Sequence, residues 1–216
     1  MRLEDVVSRL VPLPNTLPEG PAELMPILAD GSSQPFAAER VLAQDRPAAV
    51  LVLIVPGADG SARVILTERP AYEGHHSSEV SFPGGKVEAG DADSSATALR
   101  EAAEEVGLDR RTAGVRVIGC LSEVWIPVSR FALTPVLAIA ERHPELVASP
   151  DEVVRILQPP VEIFLRGAPL TIVERTVRGL PLRYGAYPVG ADDGEELLVW
   201  GATARILGQL GALLRG

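Results

Sequence analysis

Glu101, Glu104 and Glu105 lie within about one helical turn of one another in the run Arg100-Glu-Ala-Ala-Glu-Glu-Val106. Carboxylates spaced this way repel by about a few tenths of a kcal/mol per exposed i,i+4 pair, and by more when partly buried. Such a run is ordinarily a solvated helix face. Arg100 can reach Glu104 at i,i+4, which neutralises one charge and fixes a rotamer. Two acids then remain for a hard divalent cation. Mg²⁺ suits them, because it takes oxygen ligands, keeps several waters and is usually held by one or two carboxylates together with substrate phosphates.

The elements that would position these acids are a turn and a helix. Pro83-Gly84-Gly85 marks a turn at which the backbone can approach a ligand closely. Asp93 or Ser94 can cap a helix over 95–106, and Gly107 is placed to end it. Within that helix Leu99, Ala102, Ala103 and Val106 follow the spacing of a buried stripe, leaving Glu101, Glu104 and Glu105 on the opposite face.

Gly85, Arg100, Glu101, Glu104, Glu105 and Gly107 resemble the Nudix box, G-x5-E-x7-R-E-U-x-E-E-x-G-U with U aliphatic. Two departures stand out: Asp91 occupies the position of the first acid, and its separation from Arg100 is one residue longer. Leu66-Thr67-Glu68-Arg69, His76 and Val80-Ser81-Phe82-Pro83-Gly84-Gly85 resemble a second signature, that of the coenzyme A pyrophosphatase branch, which shares the extra residue in the box. Gly74, Ser78 and Glu79 depart from it, standing where that branch has Arg, Gly and Gln. The segment around Glu152-Val153 and Trp200-Gly201 with Thr203-Ala204 also resemble that branch, so the likeness spans about residues 48–214.

The remaining composition narrows the function classes. A net charge of −9 argues against a partner nucleic acid, whose phosphates are held mainly by Lys and Arg, so an anionic substrate would need a cation and local arginines. Cys120 is the single cysteine and lies in an apolar stretch, which predicts a buried small hydrophobe and excludes an intrachain disulfide. Three histidines lack zinc-ligand spacing. No apolar run reaches the roughly 18 residues of a membrane helix, and the first ten residues lack signal-peptide order; the expectation is a cytoplasmic protein with no membrane partner.

Periodicity predicts a helix over 2–10, followed by prolines that break regular structure. Residues 1–45 are expected to form an N-terminal extension packed on the domain or on a partner subunit, which leaves a homodimer open, and 46–216 to form the main domain. Strands are expected over 48–55, 62–67, 115–124, 131–140, 182–189 and 195–199, with a further strand opening at 149–153 and a terminal helix over 200–214. The fold class is α/β. The resemblance makes it a Nudix-like α/β/α sandwich with a mixed β-sheet.

The resemblance implies hydrolysis of a diphosphate linkage in a small-molecule nucleotide. Mg²⁺ or Mn²⁺ would be held by Glu101, Glu104, Glu105 and the Gly84 carbonyl, with Arg100 orienting the acids. Glu101 and Glu152 are both candidates for the base that takes the proton from water. Arg69, His76 and Trp125 are candidate substrate contacts, Arg69 by bidentate hydrogen bonds to phosphate. Coenzyme A or an acyl derivative is the first substrate implied. Another nucleoside diphosphate derivative such as ADP-ribose or NADH, or a nucleotide sensor without turnover, are the alternatives.

Overall fold

A computed structural model of the chain describes residues 1–32, 45–70, 79–126, 129–177, 179–191 and 194–214. Its centre is β2 (Arg46–Pro56), the apolar run Ala-Ala-Val-Leu-Val-Leu-Ile-Val, in which both faces are buried. β2 runs parallel to β9 (Phe131–Ala140), while β3 (Ala62–Val64) and β6 (Gly84–Lys86) pair with β2 antiparallel. β7 (Val115–Cys120) and β8 (Val124–Ile126) pair antiparallel with β9, completing a mixed six-stranded sheet.

Alternation along β2 divides the core in two. Ala49, Leu51, Leu53 and Val55 pack with Ala98, Ala102 and Val106 of α2 (Ser94–Val106). Ala48, Val50, Val52 and Ile54 face the other way, into a cluster with Leu207 and Leu210 of α4 (Gly201–Leu213). The result is an α/β/α sandwich around a mixed sheet. α1 (Leu3–Leu10) contributes the fully buried Val6 and Leu10 to the α4 side, so the first residues of the chain belong to the same core. A short helix, α3 (Arg110–Ala113), precedes β7.

Two smaller sheets flank the centre. β4 (Leu66–Glu68) lies between β5 (Val80–Ser81) and β10 (Arg155–Leu157). β12 (Leu180–Gly190) pairs with β1 (Ile27–Leu28), β11 (Thr171–Val177) and β13 (Glu196–Val199).

Several expectations are corrected. The strand predicted over 62–67 is two strands: β3 stays on β2, Ile65 breaks the run, and β4 joins β10. Residues 149–153 form a turn, closed by Val153 N–H donating to the Ser149 carbonyl, and the strand begins only at Arg155. Trp125, a candidate substrate contact, lies in β8 opposite Ala132, its indole nitrogen buried without a hydrogen-bond partner among the described residues. Cys120 is exposed at the end of β7, a strand in which no residue is fully buried.

Candidate active site

α2 is set by its ends. The Asp93 side chain accepts from Ala96 N–H at 2.8 Å, and Gly107 closes the helix in the left-handed conformation at φ 65°. The buried stripe is rotated from the expected one, since Ala98, Ala102, Glu105 and Val106 are buried while Ala103 is exposed. Glu105 is therefore turned toward the sheet, 5% exposed, while Glu101 is half-buried and Glu104 exposed.

The glycine turn brings backbone to these acids. A Cβ on Gly84 would stand 2.6 Å from Val50 Cα, and one on Gly85 would stand 2.6 Å from Glu101 Oε2. Glycine at both positions lets β6 pair with β2 while lying against α2. Gly84 N–H donates to Glu105 Oε2 at 3.1 Å. Arg69, just past the end of β4, donates from Nη2 to Glu105 Oε1 at 3.1 Å and to the Gly84 carbonyl at 3.4 Å.

Arg100 organises the other acids. Its Nε and Nη2 each donate at 3.1 Å to the two oxygens of Asp91, Nη1 donates to Glu101 at 3.0 Å and Glu104 at 3.1 Å, and Nη2 also reaches the Lys86 carbonyl at 3.0 Å. Asp91 is held further by Thr97 Oγ1 at 2.8 Å and Glu88 N–H at 2.9 Å. The first acid of the box is thus a clamp for Arg100. The Arg100 guanidinium holds the Asp91 carboxyl well below the usual carboxylate range.

The remaining acids are pushed the other way. Burial raises Glu101, against the pull of Arg100, and the charges of Glu104 and Glu152 raise it further. Burial pushes Glu105 up to about 7, opposed by Arg69 and Gly84 N–H and reinforced by Glu101 and Glu152. Glu152, on the turn after Ser149, is therefore near enough for its charge to act on both helix acids. The turn is tied to the helix directly, Ser149 N–H donating to the Glu105 carbonyl at 2.8 Å.

Glu101, Glu104, Glu105, Gly84, Arg100, Arg69 and Glu152 are brought together here. Trp125 lies on the far side of β9 from β2, and His76 lies outside the described residues. Among the described residues no three acidic side chains converge as a ready-made cation cage, because arginines hold them. The donor set nevertheless fits a Mg²⁺-type ion: carboxylates and one carbonyl around a buried acid that burial and like charges make costly to ionise. Three supports escaped sequence reasoning. Thr97 bonds to Asp91, Ser81 approaches Arg69 Nε at 3.5 Å, and Arg155 pairs with Glu68 and Glu195. An Asp six residues before a Thr and nine before an Arg was the one usable signal.

Comparison with known proteins follows the same residues. The NUDIX domain model matches residues 45–168. Nudix hydrolase 15, mitochondrial, of Arabidopsis thaliana is 38% identical over 164 residues, covering 74% of this chain and 55% of that protein. Nudix hydrolase 22, chloroplastic, of the same plant is 37% identical over 75% of this chain and 53% of its own length. The chain thus spans about half the length of these two relatives. An uncharacterized Nudix hydrolase, NudL, of Citrobacter koseri is 37% identical over 76% of this chain and 81% of that protein. Among solved structures, a Nudix hydrolase from M. Smegmatis, RenU, matches with a TM-score of 0.46 at 24% identity, over 55% of this chain and 73% of that one. A domain match over more than half of the sequence, with relatives more than a third identical, makes this chain a member of the Nudix family.

Proposed function

We propose that the chain is a metal-dependent pyrophosphohydrolase that cleaves the diphosphate linkage of a nucleoside diphosphate derivative. The observation that carries the reading is the closeness of Glu105 to Gly84 N–H and of Glu101 to Gly85, where burial, reinforced by the charge of Glu152, raises both helix acids. A site that served only packing would gain nothing from carboxylates that repel.

Mg²⁺ or Mn²⁺, when bound, would neutralise diphosphate charge and lower the pKa of a coordinated water. Glu101, Glu104, Glu105 and the Gly84 carbonyl would hold it. Asp91 fixes Arg100, and Arg100 in turn fixes the rotamers of Glu101 and Glu104. Glu152 is our choice of base. It is exposed to incoming water and acts electrostatically on both helix acids, whereas Glu101 is already engaged by Arg100.

Coenzyme A or an acyl derivative, cut into 3′,5′-ADP and a 4′-phosphopantetheine, is the substrate that the Leu66–Arg69 and Val80–Gly85 signature favours. Departures from that signature, Gly74, Ser78 and Glu79 among them, leave other ADP-linked diphosphates in competition. Incubation of the full chain in Mg²⁺ with coenzyme A, ADP-ribose, NADH and dinucleoside polyphosphates, followed by mass spectrometry, tests this. Preferential formation of 3′,5′-ADP is the expected result; faster release of AMP from ADP-ribose or NADH would move the assignment to those substrates.

A further inference from the structure

Arg69 Nη2 stands where two oxygens converge, Glu105 Oε1 at 3.1 Å and the Gly84 carbonyl at 3.4 Å. These are two of the oxygens that the proposed function assigns to the cation. A divalent ion on these oxygens would compete with the guanidinium nitrogen, since Mg²⁺ draws its oxygens to about 2.0–2.1 Å and repels a neighbouring positive charge. We propose that Arg69 is an exchangeable counter-cation: it neutralises Glu105 in the metal-free site, is released by the incoming metal, and then holds the anionic diphosphate. The inference rests on the metal-dependent reading above.

Three features suit Arg69 to that exchange. First, Glu105 is buried, and Arg69 is the one cation paired with it among the described residues, so releasing Arg69 without a replacement charge would leave a buried carboxylate uncompensated. Second, Gly84 N–H on Glu105 Oε2 keeps the carboxylate aimed at the site when its other oxygen changes partner. Third, Arg69 is anchored through its main chain, its N–H donating to the Glu79 carbonyl at 3.1 Å, while its side chain is 33% exposed and, among the described residues, otherwise tethered only by Ser81 Oγ at 3.5 Å from Nε. The guanidinium can swing without disturbing β4. Its neighbour Glu68 cannot follow, being paired with Arg155.

The exchange makes metal and diphosphate binding mutually supportive. Metal alone must displace Arg69, and diphosphate alone finds Arg69 engaged; each ligand lowers the cost of the other by the same factor.

Mn²⁺ titration of the full chain, followed by the electron paramagnetic resonance of free Mn²⁺, tests the exchange with and without adenosine 5′-(α,β-methylene)diphosphate. Arg69→Met should bind Mn²⁺ about 10-fold more tightly than wild type without nucleotide, and the tightening of Mn²⁺ by nucleotide should shrink by about 5-fold or more. Arg69→Gln, also neutral but polar, should behave alike and carries the test should Arg69→Met not fold. Arg69→Lys should restore most of the competition. Unchanged or weaker Mn²⁺ binding in both neutral variants, with the nucleotide effect intact, would overturn the exchange alone. Wild-type Mn²⁺ binding that is absent, or indifferent to Glu104→Gln, would overturn the metal site itself and the exchange with it.

Discussion

Asp91 grips Arg100 in a two-point fork, Oδ1 facing Nε and Oδ2 facing Nη2, both at 3.1 Å. Planar forks of this kind fix direction as well as charge, and the remaining Arg100 donors are thereby aimed at Glu101, Glu104 and the Lys86 carbonyl. Asp91→Asn loses one arm of that fork. Turnover should fall about 10-fold, with a lower melting temperature, while Asp91→Glu should recover part of both. Steady-state kinetics with thermal denaturation checks this; wild-type kcat in Asp91→Asn would show that the fork does not position the acids.

Glu104→Gln or Glu105→Gln should lower turnover at least ~100-fold with the fold intact, because each would remove a carboxylate charge from the proposed metal site. For Glu105 the metal-free protein should hold its stability or gain some, since a buried carboxylate is replaced by a neutral amide in contact with the same Gly84 N–H. Circular dichroism and calorimetry read the fold, and near wild-type turnover in either variant removes that residue from the metal site.

Metal-free stability should depend on pH through Glu105. Its pKa in the folded chain, pushed up to about 7, exceeds the ordinary 4.5. Between those values the folded state binds the more protons, so the contribution of this group is fully present below about 4.5 and is lost as pH rises toward 7. The melting temperature of wild type, less that of Glu105→Gln, should decline across this window in EDTA. A flat or rising difference would contradict the reading that burial of Glu105 outweighs its pairing with Arg69.

Much of this arrangement was legible in the sequence because local signals agreed. Asp93 and Gly107 bracket α2, and the uninterrupted Val, Leu and Ile run identifies β2. Rotation of α2 was not legible. Glu105 is turned inward because Gly84 N–H and Arg69, both distant in sequence, receive it, and no helical periodicity encodes a tertiary partner. The division at Ile65 is hidden for the same reason: β3 and β4 are one apolar stretch in sequence, separated only by which strand each finds to pair with. β11 escaped prediction because Thr-Ile-Val-Glu-Arg-Thr-Val, largely exposed at a sheet edge, lacks clean alternation.

The proposed use of coenzyme A should respond to a position outside the described residues. Gly74 stands where the resembling branch has Arg, and a guanidinium paired with the 3′-phosphate is worth roughly 1.5–3 kcal/mol, or about 10- to 100-fold. Gly74→Arg should raise kcat/KM for coenzyme A relative to dephospho-coenzyme A. An unchanged ratio would remove this position from 3′-phosphate recognition.

Hydrolysis at the α2 acids is tested most directly by reacting the full chain with the nucleotide panel in H₂¹⁸O and Mg²⁺, then weighing both phosphate products. One ¹⁸O should enter a single product phosphate per turnover, and the reaction should disappear in EDTA and fall at least ~100-fold in Glu104→Gln. Tight nucleotide binding with no labelled product from any substrate would identify a sensor, and label incorporation undiminished by EDTA or by Glu104→Gln would place the chemistry elsewhere.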